Sequence, residues 1–261
     1  MITNTSEFTI SELDKIISKN RDKNDFLLLL SCLENDSRLG VQKLLNREKG
    51  RLKKIRETQE HNIKMYEIEK KLLAKGFTNI AGVDEAGRGP LAGPVVVAAV
   101  VLDSFNINEY YNDSKKLSAK ARNEIYEYII KNASEVSISI RDSSQIDTDN
   151  ILSATLSAMS ESINRLETKV DIVLVDGNIK IPNIQLEQSL YQKGDERVRV
   201  IAAASIIAKV YRDKIMEEYD KKYPLYKFSK HKGYGTKEHI ELIRKYGPCK
   251  IHRRSFLDNI I

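Results

Sequence analysis

The sequence contains only two cysteines, Cys32 and Cys249, and neither has a neighbouring cysteine in a Cys-x-x-Cys arrangement. Their scarcity excludes a disulfide-rich scaffold and a cysteine zinc site, and it is typical of a reducing compartment. No apolar run approaches the roughly 18 residues that a membrane span requires. Residues 1–10 also lack the basic and apolar segments of a secretory signal. We therefore expect a cytoplasmic protein with no membrane association.

Several familiar catalytic motifs are missing as well. The four histidines form no His-Glu-x-x-His pair, and their spacing along the chain predicts no tight cluster. The nucleophile motif Gly-x-Ser-x-Gly is also absent. Residues 87–92 match the dinucleotide pattern Gly-x-Gly-x-x-Ala, which requires a helix after it. The apolar run over residues 94–102 predicts a strand there instead, and Asp84 and Glu85 would repel a pyrophosphate. No Lys-Ser or Lys-Thr follows the glycines, so a P-loop is excluded too.

The charged residues are unevenly distributed along the chain. The 261 residues are 41% hydrophobic, which is enough for a sizeable core, and their formal net charge is +6. Residues 1–75 carry 16 basic and 12 acidic side chains, residues 76–209 carry 14 and 18, and residues 210–261 carry 13 and 7. This pattern fits a polyanion held at both ends around a carboxylate centre. It fits ordinary surface variation equally well, so charge alone does not decide.

The chain divides into two regions of different pattern. Apolar residues at helical spacing predict that residues 1–75 are helical, with one short buried helix over Leu27–Leu33. Residues 76–261 are predicted to form an α/β domain with a mixed sheet flanked by helices. Ser118 and Asp149 are the expected N-caps of two of those helices. Strands are predicted over 80–84, 94–102, 136–140 and 172–175, and helices over 118–130, 149–166, 198–219 and 237–246.

Three carboxylates follow two of the predicted strands. Asp84 and Glu85 come at the end of the first strand, and Asp176 comes directly after the strand over 172–175. If the two strands are parallel neighbours, their carboxyl ends meet at the crevice where α/β sheets bind ligands. Mutual repulsion would raise the pKa values of the carboxylates, and a hard divalent cation such as Mg²⁺ or Mn²⁺ would relieve it. Two such ions about 3.5–4 Å apart catalyse phosphodiester displacement.

Each carboxylate also has a simpler interpretation. Asp176 followed by glycine is typical of a turn after a strand, and Asp84 with Glu85 fits a solvated turn. Asp195 precedes a predicted helix and fits an N-cap. The combination of carboxylates at two strand ends favours the metal site.

Residues 83–94, Val-Asp-Glu-Ala-Gly-Arg-Gly-Pro-Leu-Ala-Gly-Pro, closely resemble the signature of the ribonuclease HII family. The sister family, ribonuclease HIII, tends to have lysine between the two glycines and glutamate as its last carboxylate, so Arg88 and Asp195 favour type HII. Residues 1–75 resemble the helical extension of some bacterial members. The main resemblance continues to residue 256 in the family's order, through Asp-Ser-Lys-Lys-Leu at 113–117, Val-Asp-Gly at 175–177, Lys-Gly-Asp at 193–195, Ala-Ala-Ser-Ile-Ile-Ala-Lys at 203–209, His-Lys-Gly-Tyr-Gly-Thr at 231–236 and His-Arg-Arg-Ser-Phe at 252–256.

The resemblance implies a ribonuclease H-like fold and a metal site on four carboxylates, Asp84, Glu85, Asp176 and Asp195. It thus adds Asp195 to the three that the strand ends predict. The implied reaction is two-metal hydrolysis, with Mn²⁺ or Mg²⁺, of the RNA strand of an RNA/DNA hybrid. It includes cleavage at ribonucleotides embedded in duplex DNA and leaves 3′-hydroxyl and 5′-phosphate ends.

The resemblance also implies a set of substrate contacts. In the family, the turn matching 87–89 reads the ribose 2′-hydroxyl, and glycine permits the close approach of its backbone. The family's tyrosine matching Tyr234 lies against the following deoxyribose. Taken alone, Tyr234 is typical of an exposed loop, and Ser205, Lys209 and Arg212 form a solvated helix face or a phosphate contact. The implied substrate-binding residues are Gly87, Arg88, Gly89, Ser114, Lys115, Lys116, Ser205, Lys209 and Tyr234.

Some alternatives remain open at this point. The chain could be a ribonuclease HIII-like enzyme, another two-metal nuclease of the same fold, or a non-catalytic nucleic-acid-binding protein. A monomer is expected. Residues 1–75 are either a substrate-binding arm or a packing cap, and a chain beginning near Leu72 is expected to fold and to bind the hybrid more weakly.

Overall fold

The computed structural model describes residues 5–103, 117–258 and 260. The chain divides into two compact units, residues 1–61 and residues 62–261. This boundary lies inside one long helix, Leu39–Leu73, and so falls earlier in the chain than the predicted division between residues 75 and 76, which stays a prediction. Across the described ranges, no helix is both long enough and apolar enough to cross a membrane.

The first unit is helical, as its apolar spacing predicts. Its elements are α1 (Ile10–Asn20), α2 (Phe26–Glu34) and the first part of α3 (Leu39–Leu73). Thr9 begins α1 because its hydroxyl accepts the N–H of Glu12, while the Glu12 carboxylate accepts the N–H of Thr9. The predicted short helix is α2. The core of this unit consists of Leu13, Ile17, Phe26, Leu30, Leu33, Val41, Leu44 and Leu45.

The second unit is built on a five-stranded mixed sheet. Its strands are β1 (Ile80–Ala86), β2 (Val95–Leu102), β3 (Ala133–Arg141), β4 (Ile172–Asp176) and β5 (Glu187–Tyr191). They lie in the order β3-β2-β1-β4-β5. The β1–β2 and β2–β3 pairs are antiparallel, whereas the β1–β4 and β4–β5 pairs are parallel. The predicted mixed sheet is confirmed.

The strand that the sequence does not predict is β5. Apolar runs mark β1, β2 and β4 because these strands lie inside the sheet and are buried on both faces. In contrast, β5 is an edge strand with the sequence Glu-Gln-Ser-Leu-Tyr, and its side chains are half-buried or exposed. No apolar period distinguishes such a strand from a loop.

Helices cover both faces of the sheet. The α-helices of this unit are α4 (Ala119–Asn132), α5 (Ser143–Asp149), α6 (Ile151–Asn164), α7 (Arg199–Lys222), α8 (Phe228–His231) and α9 (Lys237–Tyr246), of which α8 and α9 lie in a separate apolar cluster with the end of α7. Side chains of β2 alternate between the two faces. Val96, Ala98 and Val100 pack with α4 and α7 on one face. On the other face, Val97, Ala99 and Val101 pack with α6.

One of the two predicted helix caps is confirmed and the other is wrong. The Ser118 hydroxyl accepts the N–H of Ala121 at 3.2 Å and begins α4. Asp149 ends α5 instead of beginning α6. Asn150 caps α6 by accepting two N–H groups of its first turn. Asn150 has a positive φ of 64°, which residues other than glycine rarely adopt.

The last part of α3 belongs to the second unit. Met65 and Leu72 lie in its apolar clusters. Glu69 is buried, and its carboxylate accepts hydrogen bonds from Arg199 Nη2 and from the N–H of Val200, both at 2.9 Å. It thereby caps α7, whose own N-cap residue makes no side-chain bond. Burial raises the pKa of Glu69, whereas both of these partners lower it.

A chain that begins near Leu72 would therefore lose part of the second unit. It would lack Met65, and it would leave the buried guanidinium of Arg199 without the Glu69 carboxylate. Removal of one partner of a buried ion pair is strongly destabilising. The structure thus argues against the expectation that such a chain folds.

We expect Glu69→Gln to lower the free energy of unfolding by about 3–5 kcal/mol, because the Arg199 charge would stay buried without its carboxylate. Each side chain of this pair is only 4% exposed, so solvent screens the interaction little. Urea unfolding of the full chain measures the change. The control is Glu67→Gln, whose exposed pair with Lys71 should contribute less than about 1 kcal/mol. Equal losses in the two variants would contradict the role assigned to Glu69.

Candidate active site

Asp84 and Asp176 lie on neighbouring parallel strands, as the sequence predicts, although β1 continues past Asp84 to Ala86 along its pair with β2. Val83 of β1 lies opposite Val175 of β4, so the residues that follow them lie side by side at the carboxyl ends of the strands. Glu85 is the next residue of β1. The structure therefore brings together the three carboxylates that the strand ends predict.

Asp84 is a buried carboxyl, with 4% of its surface exposed. Burial raises the pKa of Asp84 well above its usual range, and the charges of Glu85 and Asp176 raise it further. Two hydrogen bonds act in the opposite direction. The Ser205 hydroxyl donates one, and the N–H of Glu85 donates the other to Oδ1 at 2.7 Å. The site thus keeps three carboxylates close enough to repel one another.

Gly194 connects Asp176 to Asp195. The N–H of Gly194, the residue before the buried Asp195, donates to Oδ1 of Asp176 at 2.7 Å and so links this part of the backbone to the end of β4. A Cβ on Gly194 would lie 2.6 Å from Cδ1 of Ile201, so a side chain there would displace the Ile201 side chain. The interpretation of Asp195 as the N-cap of α7 is wrong. That position belongs to Val198, because Asp195 lies in a separate 3₁₀ turn before it.

The donor atoms of this site fit a hard divalent cation. Asp84, Glu85 and Asp176 offer only carboxylate oxygens, which Mg²⁺ and Mn²⁺ prefer as ligands. Their mutual repulsion also favours a cation between them. Among the residues that the structure describes, no three His, Cys, Asp or Glu side chains are already grouped as the ligands of one ion. The carboxylates therefore fit a divalent cation by their chemistry and charge, but they are not already arranged around one position.

Arg253 holds the glycine-rich turn that follows β1. It is 0% exposed, and its guanidinium donates a hydrogen bond from each nitrogen to a backbone carbonyl. The three acceptors are the carbonyl oxygens of Gly87 at 2.6 Å, Arg88 at 2.8 Å and Gly93 at 3.0 Å. This single side chain fixes both ends of the turn.

Arg212 is a second buried arginine beside the same turn. It is 1% exposed, so the expectation that it forms a solvated face or contacts a phosphate is wrong. Its three nitrogens donate instead to backbone carbonyls inside the protein. The acceptors are the carbonyl oxygens of Ala92 at 3.1 Å, Pro94 at 2.9 Å and Lys232 at 3.0 Å.

The glycines at 87 and 89 meet different surroundings. Gly87 has a φ of +98°, and a Cβ there would lie 2.1 Å from Nε of Arg212. Position 87 therefore requires glycine because of the packing inside the protein. A Cβ on Gly89 would meet no atom within 4 Å. The space beside Gly89 is open to a ligand.

Tyr234 lies on a loop that is bonded to this turn. The loop and the turn are connected by a hydrogen bond of 2.9 Å from the N–H of Leu91 to the carbonyl oxygen of Gly233. The Tyr234 side chain is exposed, and the guanidinium carbon of Arg212 lies 5.7 Å from its ring centre. The structure therefore brings Tyr234 and the turn at 87–89 together.

Three histidines form a buried cluster next to this loop, which corrects the expectation of no cluster. His231, His239 and His252 are 8%, 0% and 1% exposed. The rings of His231 and His239 stack with their centres 4.2 Å apart. The Nε2 atoms of His239 and His252 are 3.1 Å apart. Their wide spacing along the chain conceals the cluster in the sequence.

The hydrogen bonds around the cluster assign the tautomers of His252 and His239. The N–H of Cys249 donates to Nδ1 of His252 at 2.9 Å, so His252 carries its proton on Nε2 and donates it to His239. His239 then carries its proton on Nδ1 and donates to the carbonyl oxygen of Tyr234 at 2.9 Å. Burial lowers the pKa values of both rings to about 4, which keeps them neutral.

The other implied substrate contacts have varied environments. Arg88 is exposed beside Glu85, at 3.4 Å from its carboxylate. Lys209 pairs with Asp213 at 2.7 Å, and burial lowers its pKa. Ser205 is buried with its hydroxyl on Asp84, which makes it a support for that carboxylate. Ser114, Lys115 and Lys116 lie outside the described residues.

The chain shares its fold with enzymes of the ribonuclease H class. The chain is similar in structure to the ribonuclease H2 of Pyrococcus horikoshii, with a TM-score of 0.58 and 26% identity, covering 68% of this chain and 93% of that one. It is also similar to the ribonuclease HII of Archaeoglobus fulgidus, solved as a complex with PCNA. That likeness has a TM-score of 0.57 and 28% identity, and it covers 67% of this chain and 94% of the other.

The chain belongs to the ribonuclease HII family. The family profile matches residues 81–259, and the profile of the ribonuclease HII N-terminal domain matches residues 9–73. The ribonuclease HII of Caldicellulosiruptor bescii is 57% identical over 75% of this chain and 95% of its own length. The ribonuclease HII of Acetivibrio thermocellus is 46% identical over 97% of this chain and 98% of its own.

Membership of this family establishes the activity in outline. The chain is a ribonuclease H, a hydrolase that cleaves the RNA strand of RNA/DNA hybrids, and enzymes of this family depend on a divalent metal. The alternative of a non-catalytic nucleic-acid-binding protein is thereby set aside. The preference for type HII over its sister family is confirmed.

The burial of Arg253 and the meeting of the three histidines have no signal in the local sequence pattern. Arg253 belongs to a segment that resembles the family, but its spacing does not distinguish a buried arginine from an exposed one. The histidine cluster depends on contacts between α8, α9 and the segment around residue 252. Only the packing of these segments shows that the side chains meet.

We expect acid to destabilise the second unit through His239 and His252. Their pKa values are about 4 in the folded chain, below the usual 6.5, so the unfolded chain binds more protons between pH 6.5 and pH 4. The free energy of unfolding should therefore fall as pH decreases through this window. Urea unfolding at several pH values measures this dependence.

Two variants distinguish the contribution of this cluster to the pH dependence from that of the rest of the chain. His252→Gln should flatten the dependence, because it removes one of the titrating rings of the cluster. Ile163→Ala creates a cavity in another apolar cluster without removing a titrating group, so it should lower the free energy of unfolding but keep its dependence on pH. The same steepness in His252→Gln as in the unsubstituted chain would contradict the assignment.

Proposed function

We propose that this chain cleaves both RNA/DNA hybrids and duplex DNA that contains single ribonucleotides, by two-metal hydrolysis at Asp84, Glu85, Asp176 and Asp195. The observation that carries the proposal is the burial of Asp84 beside two further carboxylates. Such an arrangement is unfavourable unless a proton or a cation neutralises it, and only a cation leaves the carboxylates ionised. Phosphodiester hydrolysis is a reaction that uses cations held in this way.

The four carboxylates would hold the metal ions, and nearby groups orient two of them. When bound, two Mg²⁺ or Mn²⁺ ions supply activation of the attacking water and stabilisation of the leaving 3′-oxygen. Ser205 orients the Asp84 carboxyl through its hydroxyl, and the N–H of Gly194 orients Asp176. The expected products carry 5′-phosphate and 3′-hydroxyl ends.

The turn at 87–89 and Tyr234 are the proposed readers of the substrate sugars. The space beside Gly89 is open, so the backbone there can approach a ribose closely. The 2′-hydroxyl distinguishes RNA from DNA at a single nucleotide. The exposed Tyr234 ring lies on the neighbouring loop, where it can contact the next sugar. Arg88, Ser114, Lys115, Lys116, Ser205 and Lys209 remain the proposed substrate contacts.

The deciding experiment uses a DNA duplex with one ribonucleotide, incubated with and without Mg²⁺ or Mn²⁺. The proposal expects metal-dependent cleavage at the ribonucleotide, with 3′-hydroxyl and 5′-phosphate ends. Cleavage of an RNA/DNA hybrid without cleavage of this duplex would contradict the proposal. Equal cleavage of an all-DNA duplex would favour a DNA-directed nuclease of the same fold.

We expect Asp84→Asn and Asp176→Asn to abolish cleavage while hybrid binding largely persists. Each change removes an anionic ligand with little change of shape. Because each also removes a charge from a repelling group, the free energy of unfolding should stay the same or rise. Cleavage assays and urea unfolding measure the two effects. The control is Asp149→Asn, which alters an exposed carboxylate at the end of α5 and should keep full activity. Near-normal turnover in Asp84→Asn or Asp176→Asn would refute the metal assignment.

We expect Gly89→Ala and Gly87→Ala to separate substrate contact from packing. The added methyl of Gly89→Ala meets open space, so the melting temperature should hold while cleavage at a single ribonucleotide falls. The methyl of Gly87→Ala clashes with Arg212 at a left-handed φ, so this variant should lose stability. Thermal unfolding and steady-state kinetics on the same samples test both. If Gly89→Ala is stable and keeps full activity, the proposal that the ribose lies beside Gly89 is wrong.

The role of residues 1–75 as a substrate-binding arm stays part of this proposal. Their net positive charge supports it. However, the exposed Lys53 and Arg56 of α3 lie 3.8 and 2.9 Å from the carboxylates of Glu57 and Glu60, which lowers the local charge. These pairs favour a solvated face at that point of the helix. The monomeric state and the cytoplasmic compartment likewise stay predictions.

A further inference from the structure

Arg253 is a buried cation whose hydrogen bonds all go to the backbone. In the part of the chain that the structure describes, its guanidinium forms no ion pair, and its acceptors are three carbonyl oxygens. Burial lowers the pKa of Arg253 to about 9, with a contribution from the nearby charge of Arg212, so it stays protonated at neutral pH. Burial of a cation without a counter-charge is unfavourable. An apolar residue would avoid that penalty but would leave three carbonyls without donors.

These bonds fix the direction of two consecutive peptide groups. In a planar trans peptide, the C=O of one residue and the N–H of the next point in opposite directions. The carbonyls of Gly87 and Arg88 point at the buried guanidinium. The N–H groups of Arg88 and Gly89 therefore point away from it. Within the described ranges, neither N–H donates to another group of the chain.

We propose that Arg253 is a positioning residue that sets the discrimination between ribose and deoxyribose, by aiming the N–H groups of Arg88 and Gly89 at the substrate. This inference rests on the proposed function, in which the turn meets the ribose that is read. Successive N–H groups form a concave site for an electronegative atom. The 2′-hydroxyl offers an acceptor oxygen that deoxyribose lacks. Arg253 acts through the turn and does not itself touch the substrate.

Arg212 provides a comparison within the same structure. It is as buried as Arg253 and also donates to three carbonyls, but those carbonyls belong to Ala92, Pro94 and Lys232. The two arginines therefore differ in which peptide groups they orient. Only Arg253 orients the peptide groups that present the outward N–H donors. Burial is the same for both arginines, so burial alone does not explain which peptide groups each one orients.

The test compares Arg253→Lys with the unsubstituted chain on two duplexes of one sequence, one with a single ribonucleotide and one of DNA only. Lysine keeps the charge but lacks the planar fork that fixes several carbonyls at once. Dissociation constants are measured without metal, so that neither duplex is cleaved. We expect the preference for the ribonucleotide duplex to fall about three- to tenfold, as loss of one hydrogen bond predicts. Binding of the DNA duplex should not change.

Ile243→Ala is the matched control for loss of stability. Ile243 is 0% exposed in the apolar cluster that contains Leu91 and Ile251, and it forms no bond with the turn. The cavity should lower the melting temperature while the preference for the ribonucleotide duplex is kept. An unchanged preference in Arg253→Lys, or an equal loss in Ile243→Ala, would overturn the positioning role.

A different result separates this inference from the proposed function. If the unsubstituted chain binds both duplexes equally and does not cleave the ribonucleotide duplex, the proposed function fails and the inference fails with it. If the unsubstituted chain cleaves at the ribonucleotide and Arg253→Lys keeps the full preference, only the role of Arg253 fails.

A measurement on the unsubstituted chain covers the case in which Arg253→Lys does not fold. Amide hydrogen exchange at Arg88 and Gly89 should be fast in the free chain, because these N–H groups point outward without acceptors. It should slow when the metal-free chain binds the ribonucleotide duplex, and it should stay fast with the DNA duplex. Protection in the free chain, or equal protection by both duplexes, would overturn the proposal.

Discussion

The close packing of α7 against β1 at Gly82 is the contact on which the other features of the second unit depend. A Cβ at Gly82 would lie 2.4 Å from the carbonyl oxygen of Val200, so any side chain there would push the helix away. From this contact, α7 carries Ser205 to the Asp84 carboxyl and Arg212 to the glycine-rich turn. One helix therefore supports both the carboxylates and the turn that is proposed to read the substrate.

The candidate site concentrates interactions that work against stability. Repelling carboxylates lie at the ends of β1 and β4, and the like charges of Arg212 and Arg253 lie together beside the turn. The two sets of charges do not neutralise each other. The arginines are satisfied by backbone carbonyls, and the Asp84 carboxyl is satisfied in part by a hydroxyl and an N–H. The carboxylates at β1 and β4 and the two buried arginines beside the turn thus have different partners.

Sequence patterns predict four of the five strands and miss the edge strand β5. The strands β1, β2 and β4 are apolar because helices cover both of their faces, and the carboxylates that end β1 and β4 follow from them. The edge strand β5 has no such pattern. Asp195 also has no pattern of its own, because its place beside Asp176 depends on a hydrogen bond from Gly194, which lies after β5.

The sequence by itself determined the family, the central strands and the identity of the carboxylates at their ends. These properties depend on residue order and on the local period of apolar side chains. Only the tertiary structure decided that Arg212 is buried, that Ser205 supports Asp84, and that three distant histidines meet. The physical reason is that burial and hydrogen-bond partners depend on segments that are far apart in the chain. An arginine or a histidine has the same local pattern whether its partner is water or a backbone carbonyl.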